Sequence, residues 1–325
     1  MIITRTPLRM SFVGGGSDIE SYYSQNGGSV VSTTIDRYIY LNVHRSFNER
    51  VRVAYSKVEE VNKFSELEHP LVREIAKYLK VDTGLEITSI ADIPAQGTGL
   101  GSSSSFTVGL IQALAAQTGQ NMTTKELADI ACDIEINKCN EPIGKQDQYA
   151  AAFGGFNCFK FNADGSVNIR PILLGDYERH KLRNWMMVFY TGGTRSASKI
   201  LAEQTQNSAH SSHRRALDTM VQLVDPFCDA LLTADILNAG RLLHENWDLK
   251  RTLASGVTNN EIDEIYSTAL NHGAIGGKLL GAGAGGFMLF LAPPDTHKAI
   301  STALQKLKQV YWNFEPFGST IIMQS

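Results

Sequence analysis

The residues best suited to chemistry lie between Pro94 and Phe106, in the run PAQGTGLGSSSSF. Three spaced glycines (Gly97, Gly99, Gly101) precede four consecutive serines, Ser102 to Ser105, and an apolar run follows at Val108, Leu110, Ile111 and Leu114. Glycine lets a backbone turn sharply and come close to a ligand. A helix start presents unpaired N–H groups and the positive end of the helix dipole. Together they make a cradle for phosphate, to which serine hydroxyls add donors and a candidate metal ligand. The implied chemistry is that of a nucleotide or a sugar phosphate.

Two further glycine-rich loops, at residues 14–16 and 276–286, bracket this one. A single such loop is often only a tight turn, but three exceed what packing needs. A P-loop requires GxxxxGK[ST], with its Lys reaching the terminal phosphates. No such string occurs: Gly144-Lys145 and Gly277-Lys278 are followed by Gln146 and Leu279. Gly281, Gly283 and Gly286 satisfy GxGxxG, yet that loop follows a helix pattern and precedes a strand, the reverse of dinucleotide-binding order. Cys132, Cys139, Cys158 and Cys228 form no CxxC pair, so a zinc or redox motif is not indicated. In HENWD, from His244 to Asp248, a carboxylate stands where a zincin needs its second His.

These loops need elements to hold them. Residues 2–4 and 8–13 read as strand segments flanking Pro7, and residues 30–34, 39–44, 51–55 and 85–90 as further strands. Helical spacing covers residues 69–79 and 106–117. A second helix should start at Thr123 or Thr124, with Glu126 completing a capping box, and run to about residue 137. Residues 140–148 read as a polar loop. Strands at 154–161, 185–190, 287–291 and 319–323 alternate with helical patterns over 197–253, 262–272 and 297–310. This order predicts a mixed α/β chain with an N-terminal domain at residues 1–180 and a C-terminal domain at 181–325. The length of 325 residues suits two domains.

The formal net charge of -3, without a dense Lys/Arg block, argues against nucleic-acid or membrane-surface binding. No apolar run approaches the roughly 18 residues that span a bilayer, and the N-terminus lacks a signal-peptide core, so a cytoplasmic protein is expected.

In this order, the three loops resemble those of the GHMP kinases, the superfamily of galactokinase, homoserine kinase and mevalonate kinase. The first motif is similar to Thr6-Pro7-Leu8-Arg9 through Gly14-Gly15-Gly16-Ser17-Asp18. The second has the intact core Gly99-Leu100-Gly101-Ser102-Ser103, with one residue more than the family pattern between Pro94 and Gly99. The third is similar to the run from Lys278 to Phe287. Within the superfamily, RTPLRMSFVGGGSD, IGKQDQYAAAFGG and LLHENWDLKR resemble the D-glycero-D-manno-heptose 7-phosphate kinases. The resemblance implies an α+β fold: an N-terminal ribosomal-protein-like α/β domain, a ferredoxin-like C-terminal domain, and a site between them. It also implies ATP-dependent phosphorylation of the anomeric hydroxyl of a heptose 7-phosphate, giving the 1,7-bisphosphate. Other sugars (fucose, galactose, a uronic acid) or a non-catalytic sugar- and ATP-binding role remain the alternatives.

On that resemblance, Pro94, Gly97, Gly99, Leu100, Gly101, Ser102, Ser103 and Ser104 would hold ATP. Ser103 and Glu135 would bind Mg²⁺, with Asp133 the alternative to Glu135. Asp147 would be the base and Arg9 the cation that lowers the acceptor's pKa and stabilises transferred charge. Gly15, Gly16, Ser17, Asp18 and Asp147 would meet the sugar. The sugar's own phosphate needs a cationic or N–H-rich grip. Thr191, Gly192 and Arg195 follow a strand and precede a helix, which suits an anion. Lys199 and Lys250 are rivals to Arg195. The expected partners are ATP and a sugar phosphate; a homodimer stays open.

Overall fold

The computed structural model describes residues 1–94, 98–192, 197–207, 211–283 and 285–325. Two sheets organise it. The first is built from β1 (Ile2–Ser11), β2 (Gly28–Arg45), β3 (Val51–Ala54), β4 (Val58–Val61), β5 (Leu85–Ala91), β6 (Phe156–Phe161) and β7 (Val167–Pro171). The second contains β8 (Met186–Gly192), β9 (Gly276–Leu279), β10 (Gly286–Leu291) and β11 (Lys308–Val310). The last strand, β12 (Thr320–Gln324), returns to the first sheet and pairs antiparallel with β1. The expected division at residue 180 is therefore crossed at the end of the chain.

The strand segments expected on either side of Pro7 are one strand. A register shift against β2 falls between Pro7 and Leu8, where a ladder tolerates a residue with no N–H to give. The second sheet runs β11-β8-β10-β9, antiparallel throughout. Counted along the chain, that is the 4-1-3-2 order of the β-α-β-β-α-β arrangement implied by the resemblance.

The helix Ser102–Gln117 packs on β1 and β2. Its Val108, Leu110, Ile111 and Leu114 are fully buried beside Leu8 and Met10 of β1. Gly109 permits this approach: a Cβ there would lie 2.5 Å from Thr6 Oγ1. The helix start is thereby fixed next to the end of β1. The helix Thr124–Cys132 opens with the expected capping box, Thr123 and Glu126 bonding reciprocally. It then loosens into a π-helical turn, Asp133–Lys138, instead of continuing regularly. Such turns recur at functional sites. Asp147, expected in a polar loop, sits in the first turn of the helix Gln146–Phe153. Among the described residues, no helix is long and apolar enough to cross a membrane.

Candidate active site

The second glycine loop closes on Arg9 and meets the third. Arg9 follows the shift in β1 and is 4% exposed. Its backbone N–H donates to Leu100 O at 3.0 Å. Its guanidinium donates to Gly99 O at 2.6 Å and, as a fork, to both oxygens of Asp147 at 2.7 and 2.6 Å. Gly99 in turn meets the third loop, since a Cβ there would lie 2.1 Å from Leu280 O. Gly101 caps the helix at a φ of 74°, in the left-handed region that glycine adopts without strain. Ser102, Ser103 and Ser104 thus occupy the first turn, where N–H groups have no intrahelical acceptor.

The serines divide by direction. Ser105 donates to Pro7 O at 2.8 Å and Ser102 lies 3.4 Å from Thr98 Oγ1, so both secure the loop. Ser103 and Ser104 donate to the two oxygens of Glu135 at 2.6 and 2.7 Å, and Gln148 Nε2 donates at 2.6 Å. Ser104 is buried, whereas Ser103 is exposed to solvent. Glu135 is fully buried in the π-helical turn, and burial pushes its carboxyl up to about 7 despite three neutral donors. Asp133 is directed elsewhere, accepting from Asn137 at 2.8 Å. No group of three or more His, Cys, Asp or Glu among the described residues could cage a metal on its own.

Asp18, 2% exposed, joins the first loop to the segment before Asp147. It accepts from Gly16 N at 3.0 Å and from the backbone and side-chain nitrogens of Gln146, both at 3.2 Å. Burial and then the Asp147 charge raise its carboxyl above the ordinary range. Gly15 faces Ser11 and Gln146, each 3.8 Å from a Cβ built there. Ser17 faces inward instead: its hydroxyl donates to Gly14 O at 2.8 Å and Ser29 O at 3.0 Å, and accepts from Ser29 N at 3.0 Å. The Ser17 hydroxyl is thus engaged in supporting the loop.

Residues 14–16 are also held from the helix Ile236–Lys250. Asn246 accepts from Gly14 N at 2.9 Å and Lys250 donates to Gly15 O at 3.1 Å. Lys278 opens the third motif, is 2% exposed, and donates to Phe12 O at 3.0 Å. Burial, then the nearby Lys250 and Arg9, hold its ammonium well below the usual lysine range. Sequence reasoning missed Gln146, Gln148 and Asn246; the only signal was their place beside Asp147 and in the helical segment with Lys250.

The remaining candidates lie at the edges. Pro94 is exposed. Thr191 and Gly192 end β8 against the third loop, Thr191 donating to Gly286 O at 3.2 Å, with no bond to the Asp18 cluster. Gly97 and Arg195 lie outside the described residues.

A helix start behind a glycine loop, with the Arg9–Asp147 pair beside it and a ferredoxin-like second sheet, fits the kinase site that the resemblance implies. The pattern of the GHMP kinases N terminal domain matches residues 70–155, and that of the GHMP kinases C terminal matches residues 228–311. The chain is 30% identical over 320 residues to the D-glycero-alpha-D-manno-heptose 7-phosphate kinase of Campylobacter jejuni, covering 94% of this chain and 93% of that one. It is 24% identical over 335 residues to an L-fucokinase/L-fucose-1-P guanylyltransferase of Bacteroides fragilis, covering 91% of this chain but 35% of that one. The crystal structure of a D-glycero-D-manno-heptose 1-phosphate kinase from Bacteroides thetaiotaomicron superposes with a TM-score of 0.82 at 25% identity, over 100% of both chains. The chain belongs to the GHMP kinases, which use ATP as phosphate donor, and it is a sugar kinase.

Proposed function

We propose that this chain transfers the γ-phosphate of ATP, with Mg²⁺, to the anomeric hydroxyl of D-glycero-D-manno-heptose 7-phosphate. The products are the 1,7-bisphosphate and ADP. The observation that carries the reading is the forked Arg9–Asp147 pair at the mouth of the Gly99–Ser104 cradle, in a chain 30% identical to a heptose 7-phosphate kinase.

Phosphoryl transfer asks mainly for positioning and charge neutralisation. The helix start would hold the ATP phosphates on its free N–H groups. Asp147, its side chain 24% exposed, would accept the acceptor's proton as the new P–O bond forms. Arg9 orients that carboxylate through two bonds and would stabilise charge on the transferred group. Asp18 would orient the sugar. Ser103, solvent-facing, and Glu135, buried among neutral donors, supply hard oxygens on one side of the cradle, a donor set that suits Mg²⁺ shared with substrate phosphates. When bound, the metal neutralises charge on those phosphates.

Protein mixed with ATP, Mg²⁺ and heptose 7-phosphate should release ADP in a coupled assay. Folded protein that releases none above background rejects the reading. Similarity to the fucokinase favours a second one, an unphosphorylated sugar such as fucose as acceptor. The same assay with fucose, galactose and a uronic acid decides between them by kcat/KM.

A further inference from the structure

The first glycine loop is backed by a surplus of hydrogen-bond donors. Lys250, 4% exposed, donates to Gly15 O at 3.1 Å and to Gln204 Oε1 at 3.2 Å, both neutral acceptors. Gln204, 5% exposed on the helix Ala197–Asn207, has no partner for its Nε2 among the described residues. Asn246 is fully buried one turn before Lys250; its Oδ1 accepts from Gly14 N, and its Nδ2 has no partner among the described residues. Buried donors are nearly always bonded, and a buried ammonium is costly unless an anion faces it. A surplus of donors over acceptors is the composition of an anion site.

A small cavity of about 10 Å³, room for one water, adjoins Gln204. Gly16 and Gln204 form one side, His213 contributes a ring, and Ile19, Leu217 and Leu253 supply apolar wall. Gly16 keeps the ammonium approachable: a Cβ there would come within 3.3 Å of Lys250 Nζ. The loop also fixes the order of groups along the cleft. Gln146, the residue before Asp147, donates to Asp18, Gly16 N donates to the same carboxylate, and Gly16 lies against the Lys250 ammonium.

We propose that Lys250, with Gln204 and Asn246, forms the subsite for the terminal phosphate of a sugar-phosphate acceptor. This rests on the kinase reading above. The sugar lies across Asp18, its anomeric hydroxyl at Asp147 and its far carbon at Gly16.

The test is calorimetric titration of the intact protein, without ATP, with heptose 7-phosphate and with the unphosphorylated heptose. Wild type should bind the phosphorylated sugar more tightly by roughly 30- to 1000-fold, the worth of a desolvated charge contact. Lys250→Met should remove most of that preference. Gln204→Leu, which leaves the cation in place, should lower it by roughly tenfold. ATP titration of each variant confirms folding. A Lys250→Met protein that keeps the full preference overturns the subsite and leaves the kinase reading standing. Equal losses for both sugars also overturn it, because they mark a ring contact or a structural role. Wild type that binds neither sugar overturns the substrate reading together with the subsite.

Discussion

Arg9 and Lys250 are both 4% exposed, the first against Asp147 and the second near Asp18, and they are held in opposite ways. Arg9 gives two charge-assisted bonds to Asp147 and a third to Gly99 O. Lys250 gives its bonds to one carbonyl and one amide oxygen. A planar guanidinium locks a carboxylate in two places, whereas an ammonium is a point charge on a flexible stem. At the Arg9 end, geometry is set in advance and charge is already balanced, as suits the place where a proton and a phosphoryl group change owners. At the Lys250 end, Asp18 offsets the positive charge only in part, and burial lowers that ammonium to about 8. One end positions; the other attracts.

Asp147→Asn tests that contrast most severely, because it makes Arg9 an unpaired buried cation like Lys250. Turnover should fall by roughly 10²- to 10⁴-fold, the usual worth of a positioned proton acceptor. ATP titration should still show binding, since the cradle lies on Gly99 to Ser104. Near-normal turnover would remove Asp147 as the base. Gly99→Ala strikes the other support of Arg9. Its φ of 73° alone costs a side chain about 1–2 kcal/mol, and the new Cβ would sit 2.1 Å from Leu280 O. Lower thermal stability and at least about a tenfold fall in kcat/KM for ATP are expected, from misplacement of the cradle. A stable, fully active Gly99→Ala protein would show that the second and third loops need not meet closely.

The positioned end was far more legible in the sequence than the attracting one. Arg9, Asp18 and Asp147 lie in or beside glycine-rich runs, and glycine and serine clusters carry a local signature. Glu135 was legible as a residue but not as a geometry, because a π-helical turn uses the same residue types as a regular helix. The orientation of Ser17 was hidden for a related reason. The hydroxyl looks available in sequence, and only the crossing of Ser29 past the loop shows that it points inward. Gln148 and Asn246 act through contacts 13 and 232 residues away, which no local pattern encodes. Lys250 could be only one lysine among rivals, because lysine is ordinarily exposed and its burial here depends on helices packing around the Gly14–Gly16 turn. The return of β12 to β1 is equally non-local.

The smallest effect expected is also the one that separates the two cations most cleanly. In the unfolded chain Lys250 titrates near 10.5, and in the fold at about 8, with burial the main cause and Asp18 opposing it. Between those values the fold binds fewer protons than the unfolded chain, so this group's contribution to stability rises with pH. Its cost is fully present below about 8 and is relieved on the way to 10.5. Lys250→Met removes the cost at the expense of two hydrogen bonds. At pH 7 the ligand-free variant should therefore be more stable than wild type, by about 1–3 kcal/mol. The gap should narrow as pH is raised from 7 to 9.5, because wild type sheds the proton while the variant has none to lose. Denaturant unfolding of both proteins at the two pH values measures this directly. A gap that stays constant, or a variant less stable at pH 7, would mean that the Lys250 ammonium is compensated within the fold, and the contrast with Arg9 would fail.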